Sequence, residues 1–425
     1  MIPEHKLNSI FSMIDGEELA QLALDLGKIR GPSGYEEQPG EAVYQWMKEN
    51  GFNCWKQFVT GERFNVIGVL PGTGGGKSLA FNSHLDTAPL FEGEPQAGVE
   101  SHSPYNTWRE ENRLYGLGVM NCRGPMSTWL IAAKALKNSG VKLKGDVVLT
   151  AVVGEIGLAP IEEYQGPRYV GKGIGTEYAV KYGPAVDYAV VSETTDFGIT
   201  WAECGISYVR IRTKGVQMYS PRINITGGIK DHPNAIVKMG LIISEVEKWA
   251  REYEEKNIMQ LSLGTIKPKV NIGAIRGGFP PGPSESANMC SIYLSIRLLP
   301  GEGPGKTIHD LRTYLEKTGL EIEVFPYLFK RGYIGTGVEP LVDSIEDSHF
   351  QLFKKKTPPV STPVTSMWRD LNIYNEYGIP AITFGPTRYV DQDVTMKDLS
   401  IKYLTVDDMV SISKLYAMTA LKICS

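Results

Sequence analysis

The chain has 425 residues, 42% of them hydrophobic and 22% charged, with a formal net charge of −4 at pH 7. That length suggests about two or three domains with ample chain for a large core, and the near-average composition excludes disordered, collagen-like and coiled-coil proteins. No basic surplus points to nucleic acid or an anionic membrane as partner, and no apolar run reaches the roughly 18–20 residues of a membrane helix.

The first residues, MIPEHKLNSIFSMIDGEE, carry charges where a secretory leader places its apolar stretch. Residues 14 to 50 read as two helices broken at GPSGYEE, where Gly31, Pro32 and Gly34 cannot continue a helix. Two short apolar runs follow, NVIGVL (65–70) and SLAFNSHLD (78–86). From Arg123, RGPMSTWLIAAKALKNSG has helical spacing with a glycine stop at 140. GDVVLTAVV (145–153) and VDYAVVSE (186–193) are continuous β-branched runs, typical of strands buried on both faces. Strands alternating with helices imply a mixed or parallel sheet covered by helices on both sides.

From about residue 204 to 329 the order becomes strand, long amphipathic helix, two strands, helix, strand, the split βαβ arrangement of a ferredoxin-like α+β domain. GIPAITFGP (378–386) then returns as a strand to the first sheet, and VDDMVSISKLYAMTALKIC closes as a helix with Thr405 or Asp407 available to cap it. The expectation is an α/β domain built from residues 1–203 and 330–425, with an α+β domain inserted at 204–329. The five cysteines, Cys54, Cys122, Cys204, Cys290 and Cys424, are odd in number, scattered and without CxxC spacing. They favour reduced thiols in a cytoplasm over a disulfide framework or a cysteine-rich zinc site.

GTGGGKS (72–78) invites comparison with a phosphate-binding loop. Only three residues separate Gly72 from Gly76, and a strand rather than a helix follows, so a flexible hairpin turn is the expectation. Chemistry is better sought at strand ends. His84 and Asp86 of SHLDTAP share one face of a strand by its period of two, so the carboxylate sits where it can orient the imidazole of a metal ligand. Glu155 and Glu193 each follow a predicted strand, and Asp398 precedes the last helix. In open α/β sheets sites form at the carboxyl ends of strands, and a histidine among several such carboxylates makes an oxygen-rich metal site. Taken singly, each acid is also explained as a solvated loop charge, and the His–Asp pair as a structural hydrogen bond.

In order and surroundings, SLAFNSHLDTAP, RLYGLGVMNCRGPMSTWLIAAKAL, GDVVLTAVVGEIG, DYAVVSETTDFGI and WRDLNIYNEYGIPAITFGP resemble the metallopeptidase family of aminoacylases, acetylornithine deacetylase, succinyl-diaminopimelate desuccinylase and carboxypeptidase G. The resemblance spans nearly the whole chain, and in that family the inserted domain is a dimerising lid. It implies hydrolysis of an amide bond with two bridged zinc ions. Position by position, His84, Asp86 and Glu193 match the family's ligand set and its orienting aspartate.

Other positions depart. The family's bridging aspartate falls on Asn121, and its Glu-Glu pair on Gly154 and Glu155, which keeps the ligand glutamate and loses the general base. Its last histidine falls on Asp398, or on Asp393 if the loop is shifted. The lid histidine that reaches the partner subunit falls on Tyr219, and the substrate-binding lid arginine is kept as Arg297. Two ions roughly 3.5–4 Å apart need an anionic bridge that Asn121 cannot supply. The expectation is therefore one divalent ion, zinc or manganese, held among His84, Asn121, Glu155, Glu193 and Asp398, with a metal-free site as the alternative.

Glu155 is a candidate base, Tyr219 a candidate oxyanion donor or an interface residue, and Arg297 a clamp for a substrate carboxylate or a salt-bridge partner. Cys122 is either a small buried residue or a nucleophile. Three functional readings follow. One is metal-assisted hydrolysis of an amide in a small carboxylated molecule such as an N-acyl amino acid or dipeptide. Another is a lyase, isomerase or acyl-transfer enzyme in the same pocket. The third is a non-catalytic small-molecule binder. Each goes with a homodimer formed through the lid.

Overall fold

In the computed structural model, residues 2–88, 106–225, 227–390 and 402–425 are described. Met1–Trp201, Gly335–Ser361 and Arg369–Ser425 make one unit, and Ala202–Ile334 with Thr362–Trp368 make a second. The first unit opens with α1 (Glu4–Phe11), α2 (Gly16–Gly27) and α3 (Glu37–Glu49). Asp15 caps α2 by accepting hydrogen bonds from the Glu17 and Glu18 amides, which satisfies donors the helix cannot use itself. Strands β1 (Asn53–Thr60), β2 (Arg63–Leu70) and β3 (Leu79–His84) follow, then two short strands, β4 (Trp108–Glu110) and β5 (Arg113–Tyr115). Next come α4 (Gly124–Asn138), β6 (Val147–Val152), α5 (Ile174–Tyr182) and β7 (Tyr188–Ser192).

The second unit contains β8 (Gly205–Lys214), α6 (Ala235–Lys256), β9 (Met259–Leu261), β10 (Gly264–Ile266), β11 (Val270–Gly277), β12 (Met289–Leu298), α7 (Pro304–Glu316) and β13 (Ile322–Lys330). Its main sheet has the order β11-β12-β8-β13 with every neighbour antiparallel, the ferredoxin-like arrangement expected from the element order. Val209, Ile211, Ile292, Leu294 and Ile296 of the sheet and Met239, Ile242, Val246 and Trp249 of α6 share its core.

The chain then returns through α8 (Glu339–Phe353), α9 (Thr362–Thr365), α10 (Leu371–Glu376), β14 (Ala381–Phe384), β15 (Tyr389–Val390), β16 (Lys402–Thr405) and α11 (Val406–Ile423). The stretch around α9 goes with the second unit because the Thr365 hydroxyl donates to the Thr265 carbonyl and the Trp368 indole to the Arg331 carbonyl at 3.3 Å. Thr405 caps α11, its hydroxyl accepting from the Asp408 amide.

In the first unit the large sheet runs β1-β2-β6-β3-β7-β14. β6, β3, β7 and β14 are mutually parallel, and β1 and β2 add antiparallel strands at one edge. All residues of β3 and β6 are buried, which explains the apolar and β-branched run of β6 (VVLTAV) and the apolar start of β3 (Leu79–Phe81) before its buried polar Asn82, Ser83 and His84. α4 and α11 cover one face, with Trp129, Leu130, Ile131 and Leu136 packed in one core with Met409, Ile412, Leu415 and Tyr416. The sheet is therefore mixed and flanked by helices, as expected.

The GTGGGKS turn is a correction. It is not a hairpin: β6 lies between β2 and β3, and the segment crosses the start of β6. A side chain on Gly72 or Gly76 would meet the Lys144–Gly145 backbone at 2.3 and 2.5 Å, so these glycines serve a close backbone approach. Among the described residues no helix is long and apolar enough to cross a membrane.

Candidate active site

Three parallel neighbours in the sheet, β6, β3 and β7, end side by side, and each delivers one functional group. His84 is the last residue of β3, Glu155 lies just past β6 and Glu193 just past β7. This is the carboxyl edge, where open α/β sheets form their sites. All three side chains are buried. His84 Nε2 lies 3.6 Å from Glu193 Oε1 and 4.0 Å from Glu155 Oε2.

Asn121 reaches the same point from the turn before α4, its Oδ1 3.0 Å from His84 Nε2. The turn at Val119–Arg123 carries it in an extended conformation (φ −147°, ψ 96°), followed by a cis peptide to Cys122. Arg123, fully buried, fastens the turn to the neighbouring chain. Its Nε donates to the Leu85 carbonyl at 2.8 Å and its Nη1 to the Leu26 and Ile29 carbonyls.

Asp86 is bound from every side. Its carboxylate accepts from the amides of Glu155 (3.2 Å) and Ile156 (2.9 Å) and from the Ser33 hydroxyl. His84 Nδ1 lies 2.8 Å from the Asp86 carbonyl oxygen and 3.4 Å from its Oδ1. Burial opposes ionisation of Asp86, yet the His84 contact and charge, with the Ser33 and Ile156 hydrogen bonds, hold its carboxyl below the usual range. For His84 burial likewise opposes the charged form, and its contacts with Cys122 and Asp86 overcome it, raising its pKa well above the ordinary value. With Nδ1 turned to Asp86, Nε2 is the nitrogen presented to the pocket.

Several groups that sequence reasoning did not single out complete the site. Lys172 is buried with its Nζ 3.2 Å from Glu155 Oε1 and 3.3 Å from the Glu155 carbonyl. It sits between Gly171 and Gly173 in a left-handed conformation (φ +53°), which costs a non-glycine residue on the order of 1–3 kcal/mol. Arg369 Nε donates to Glu193 Oε2 at 2.9 Å. Asp370, next to it, is buried; its Oδ2 accepts from the Thr176 hydroxyl at 2.6 Å, and its Oδ1 has no hydrogen-bond partner among the described residues. Burial, then the nearby Glu155 charge, push its carboxyl up to about 8.

A lysine framed by glycines in GKGIG and an arginine beside an aspartate in WRDL were the available sequence signals. The structure also gives Cys122 a histidine neighbour from far along the chain. The His84 amide donates to Cys122 Sγ at 3.2 Å, and burial pushes the thiol up.

Gly154 explains its own identity. Its φ is +67°, and an added Cβ would come within 2.7 Å of Arg63 Nη2 and 2.9 Å of Ile174 Cγ2. Arg63 is buried and paired with Glu36 at 2.6 Å, so the space a glutamate would need at this position is filled. On the second unit, Tyr219 is half-exposed in the loop after β8 and bridges Glu285. Arg297 lies on β12 and is partly buried, with Nη1 lacking a partner among the described residues. Asp398 and Asp393 lie outside the described residues.

The pocket's donor set fits a divalent cation. His84, Cys122 and Glu193 offer ligand atoms that all lie within 4.8 Å of one another. Two ligands each about 2.1 Å from one ion are about 3.0–3.4 Å apart, and His84 Nε2 is 3.0 Å from Asn121 Oδ1 and 3.6 Å from Glu193 Oε1.

Residues 80–422 match the model of the peptidase family M20/M25/M40. The chain is similar to N-formyl-4-amino-5-aminomethyl-2-methylpyrimidine deformylase from Bacillus subtilis, 27% identical over 403 residues that cover 87% of each chain. Its fold is that of the di-peptidase Dug1p from Saccharomyces cerevisiae, with a TM-score of 0.73 at 12% identity and 99% of both chains covered. A dinuclear metal binding M20 peptidase from Bacillus subtilis aligns with a TM-score of 0.58 at 16% identity, over 96% of this chain and 98% of the other. The chain belongs to the peptidase family M20/M25/M40 and is a metal-assisted hydrolase of amide C–N bonds.

Proposed function

We propose that this chain releases a short acyl group from the nitrogen of a small carboxylate-bearing molecule, an N-acyl amino acid or dipeptide, using one zinc or manganese ion. The observation that carries this reading is the convergence of His84 Nε2, Asn121 Oδ1 and Glu193 Oε1 on one point at the carboxyl edge of the sheet. These three would hold the ion, with Cys122 Sγ beside them. A bound divalent ion supplies Lewis acidity toward the acyl carbonyl and the attacking water.

The chain's own residues do the rest. Asp86 orients His84 through Nδ1 and keeps Nε2 toward the pocket. Glu155 Oε1 is held by Lys172, and Oε2 faces His84. From there Oε2 takes a proton from the attacking water and returns it to the departing amine nitrogen. This assigns Glu155 the role of base, Gly154 having none to offer. The family resemblance gives Arg297 the role of recognising the substrate carboxylate through its planar fork. The resemblance likewise puts Tyr219 at the position of the family's lid histidine, whose role of donating to the developing oxyanion its phenol would take.

The deformylase named above acts, by its name, on an N-formyl amine, which places formyl among the acyl groups to be tried. A homodimer through the second unit is supported by the exposed Ile275 on the edge strand β11, Phe279 just beyond it, and Ile236 and Val237 on α6. The five cysteines form no disulfide among the described residues, which supports a reducing, cytoplasmic setting.

The test is amine release from N-formyl, N-acetyl and longer N-acyl amino acids and from dipeptides. Glu155→Gln is expected to lower kcat by about 10²–10⁴ while the ion stays bound, and Arg297→Met to raise KM for carboxylated substrates more than for their esters. Turnover undiminished in Glu155→Gln refutes the assigned base.

A further inference from the structure

We propose that Lys172 and Arg369 stand where a second metal ion would otherwise be needed, so that this pocket balances its charge with one divalent ion and two side-chain cations. The inference deepens the metal-assisted reading above and rests on it. It comes from how two carboxylates divide their oxygens. Glu155 turns Oε2 toward His84 Nε2, at 4.0 Å, and gives Oε1 to Lys172 Nζ, at 3.2 Å. Glu193 turns Oε1 toward the same nitrogen, at 3.6 Å, and gives Oε2 to Arg369 Nε, at 2.9 Å. One oxygen of each faces the point shared with Asn121, and the other is already neutralised by a buried cation.

The site is built for this arrangement. Gly171 donates to the Leu158 carbonyl at 3.1 Å and Gly173 to the Gly154 carbonyl at 2.8 Å, so the loop carrying Lys172 is hydrogen-bonded along the same segment that carries Glu155. A Cβ on Gly171 would meet the Ile156 carbonyl at 2.6 Å, which shows how closely the two segments approach. The left-handed backbone at Lys172 marks a residue held in place by its surroundings, as strained positions at functional sites are. Arg369 Nη2 reaches the Thr194 carbonyl at 3.5 Å, tying the guanidinium to the strand end that carries Glu193.

Two divalent ions at roughly 3.5–4 Å repel and are held together by an anionic bridge, whereas Asn121 is neutral. Guanidinium and ammonium groups supply fixed positive charge at the carboxylates without that bridge. The dinuclear M20 peptidase from Bacillus subtilis shows that this fold also accommodates two ions.

The experiment uses the metal-depleted full-length chain titrated with Mn²⁺, read by metal content after desalting and by electron paramagnetic resonance. Wild type is expected to hold one ion per chain with the hyperfine pattern of an isolated Mn²⁺. Asn121→Asp combined with Lys172→Met, which restores the anion and removes a cation, is expected to bind a second ion and show an exchange-coupled pair. Asn121→Asp with Lys172→Gln provides the same test if the methionine variant does not fold. Two coupled ions in wild type overturn this proposal and leave the hydrolase reading intact. No ion in wild type overturns the hydrolase reading itself. A folded double variant that still holds one ion overturns the role given to Lys172.

Discussion

Replacing Arg369 by methionine deletes one side of a pair that is almost wholly out of water, with 3% of the arginine side chain and 10% of the Glu193 side chain exposed. Two unit charges about 4 Å apart interact by about 4 kcal/mol at an effective dielectric of 20. Removing one partner of a buried pair costs about 3–5 kcal/mol, because the remaining charge is stranded without water or counter-ion. Glu193 would be that remaining charge, with His84 Nε2, 3.6 Å from its other oxygen, as the one cationic neighbour left to it among the described residues. In a unit this large, about 2 °C of melting temperature corresponds to 1 kcal/mol, so Arg369→Met is expected to melt about 6–10 °C below wild type in metal-free buffer. A cation that binds the folded chain adds about 2.7 kcal/mol at a hundred times its dissociation constant. Excess Zn²⁺ or Mn²⁺ should therefore recover part of the loss, and more of it in the variant than in wild type. Differential scanning at a fixed scan rate reads both quantities. A variant within about 2 °C of wild type without metal, or one that gains no more than wild type from added metal, would show that Arg369 does not carry the charge balance of Glu193.

Gly154→Glu, which rebuilds the acidic pair of the resembled family on paper, is expected to lower stability by more than about 1 kcal/mol and not to raise turnover. The new side chain starts 2.7 Å from Arg63 Nη2, on a backbone at φ +67°; a stable and faster variant would contradict the account of that glycine. Asp370 keeps its proton in the folded chain up to about pH 8 and loses it near pH 4 when unfolded. Its contribution to stability is thus complete below about pH 4 and is lost as pH rises to about 8, at no more than about 1.4 kcal/mol per pH unit. Asp370→Asn should flatten the urea midpoint against pH between 5 and 8, and an unchanged slope would refute the assignment.

Much of the architecture was readable because local rules and burial agree. The β-branched runs at 145–153 and 186–193 became β6 and β7, whose mostly buried sequences leave no room for polar alternation. His84 and Asp86 were visible from strand period, and Glu155 and Glu193 from their position just past apolar runs.

What escaped is long-range. Lys172, Arg369 and Asp370 have no local signature that separates them from surface charges, and Arg369 meets Glu193 across 176 residues of sequence. The Cys122–His84 contact spans 38 residues, so no window around the cysteine contains its histidine. The turn at 72–78 differs from its sequence expectation for a related reason: a glycine-rich link between two apolar runs has hairpin grammar, and only the sheet order reveals that β6 enters between them. α5, α8 and α10 were not anticipated, and the positions of α5 and α10 carry Lys172 and Arg369 at their approaches.

The most direct measurement is amide hydrolysis by the metal-depleted chain as zinc or manganese is added back, beside a His84→Ala variant treated in the same way. The account predicts that turnover is lost on depletion, returns as about one ion per chain is restored, and does not return in His84→Ala at that stoichiometry. Full turnover in the depleted wild-type protein, or recovery in His84→Ala equal to wild type, would contradict it.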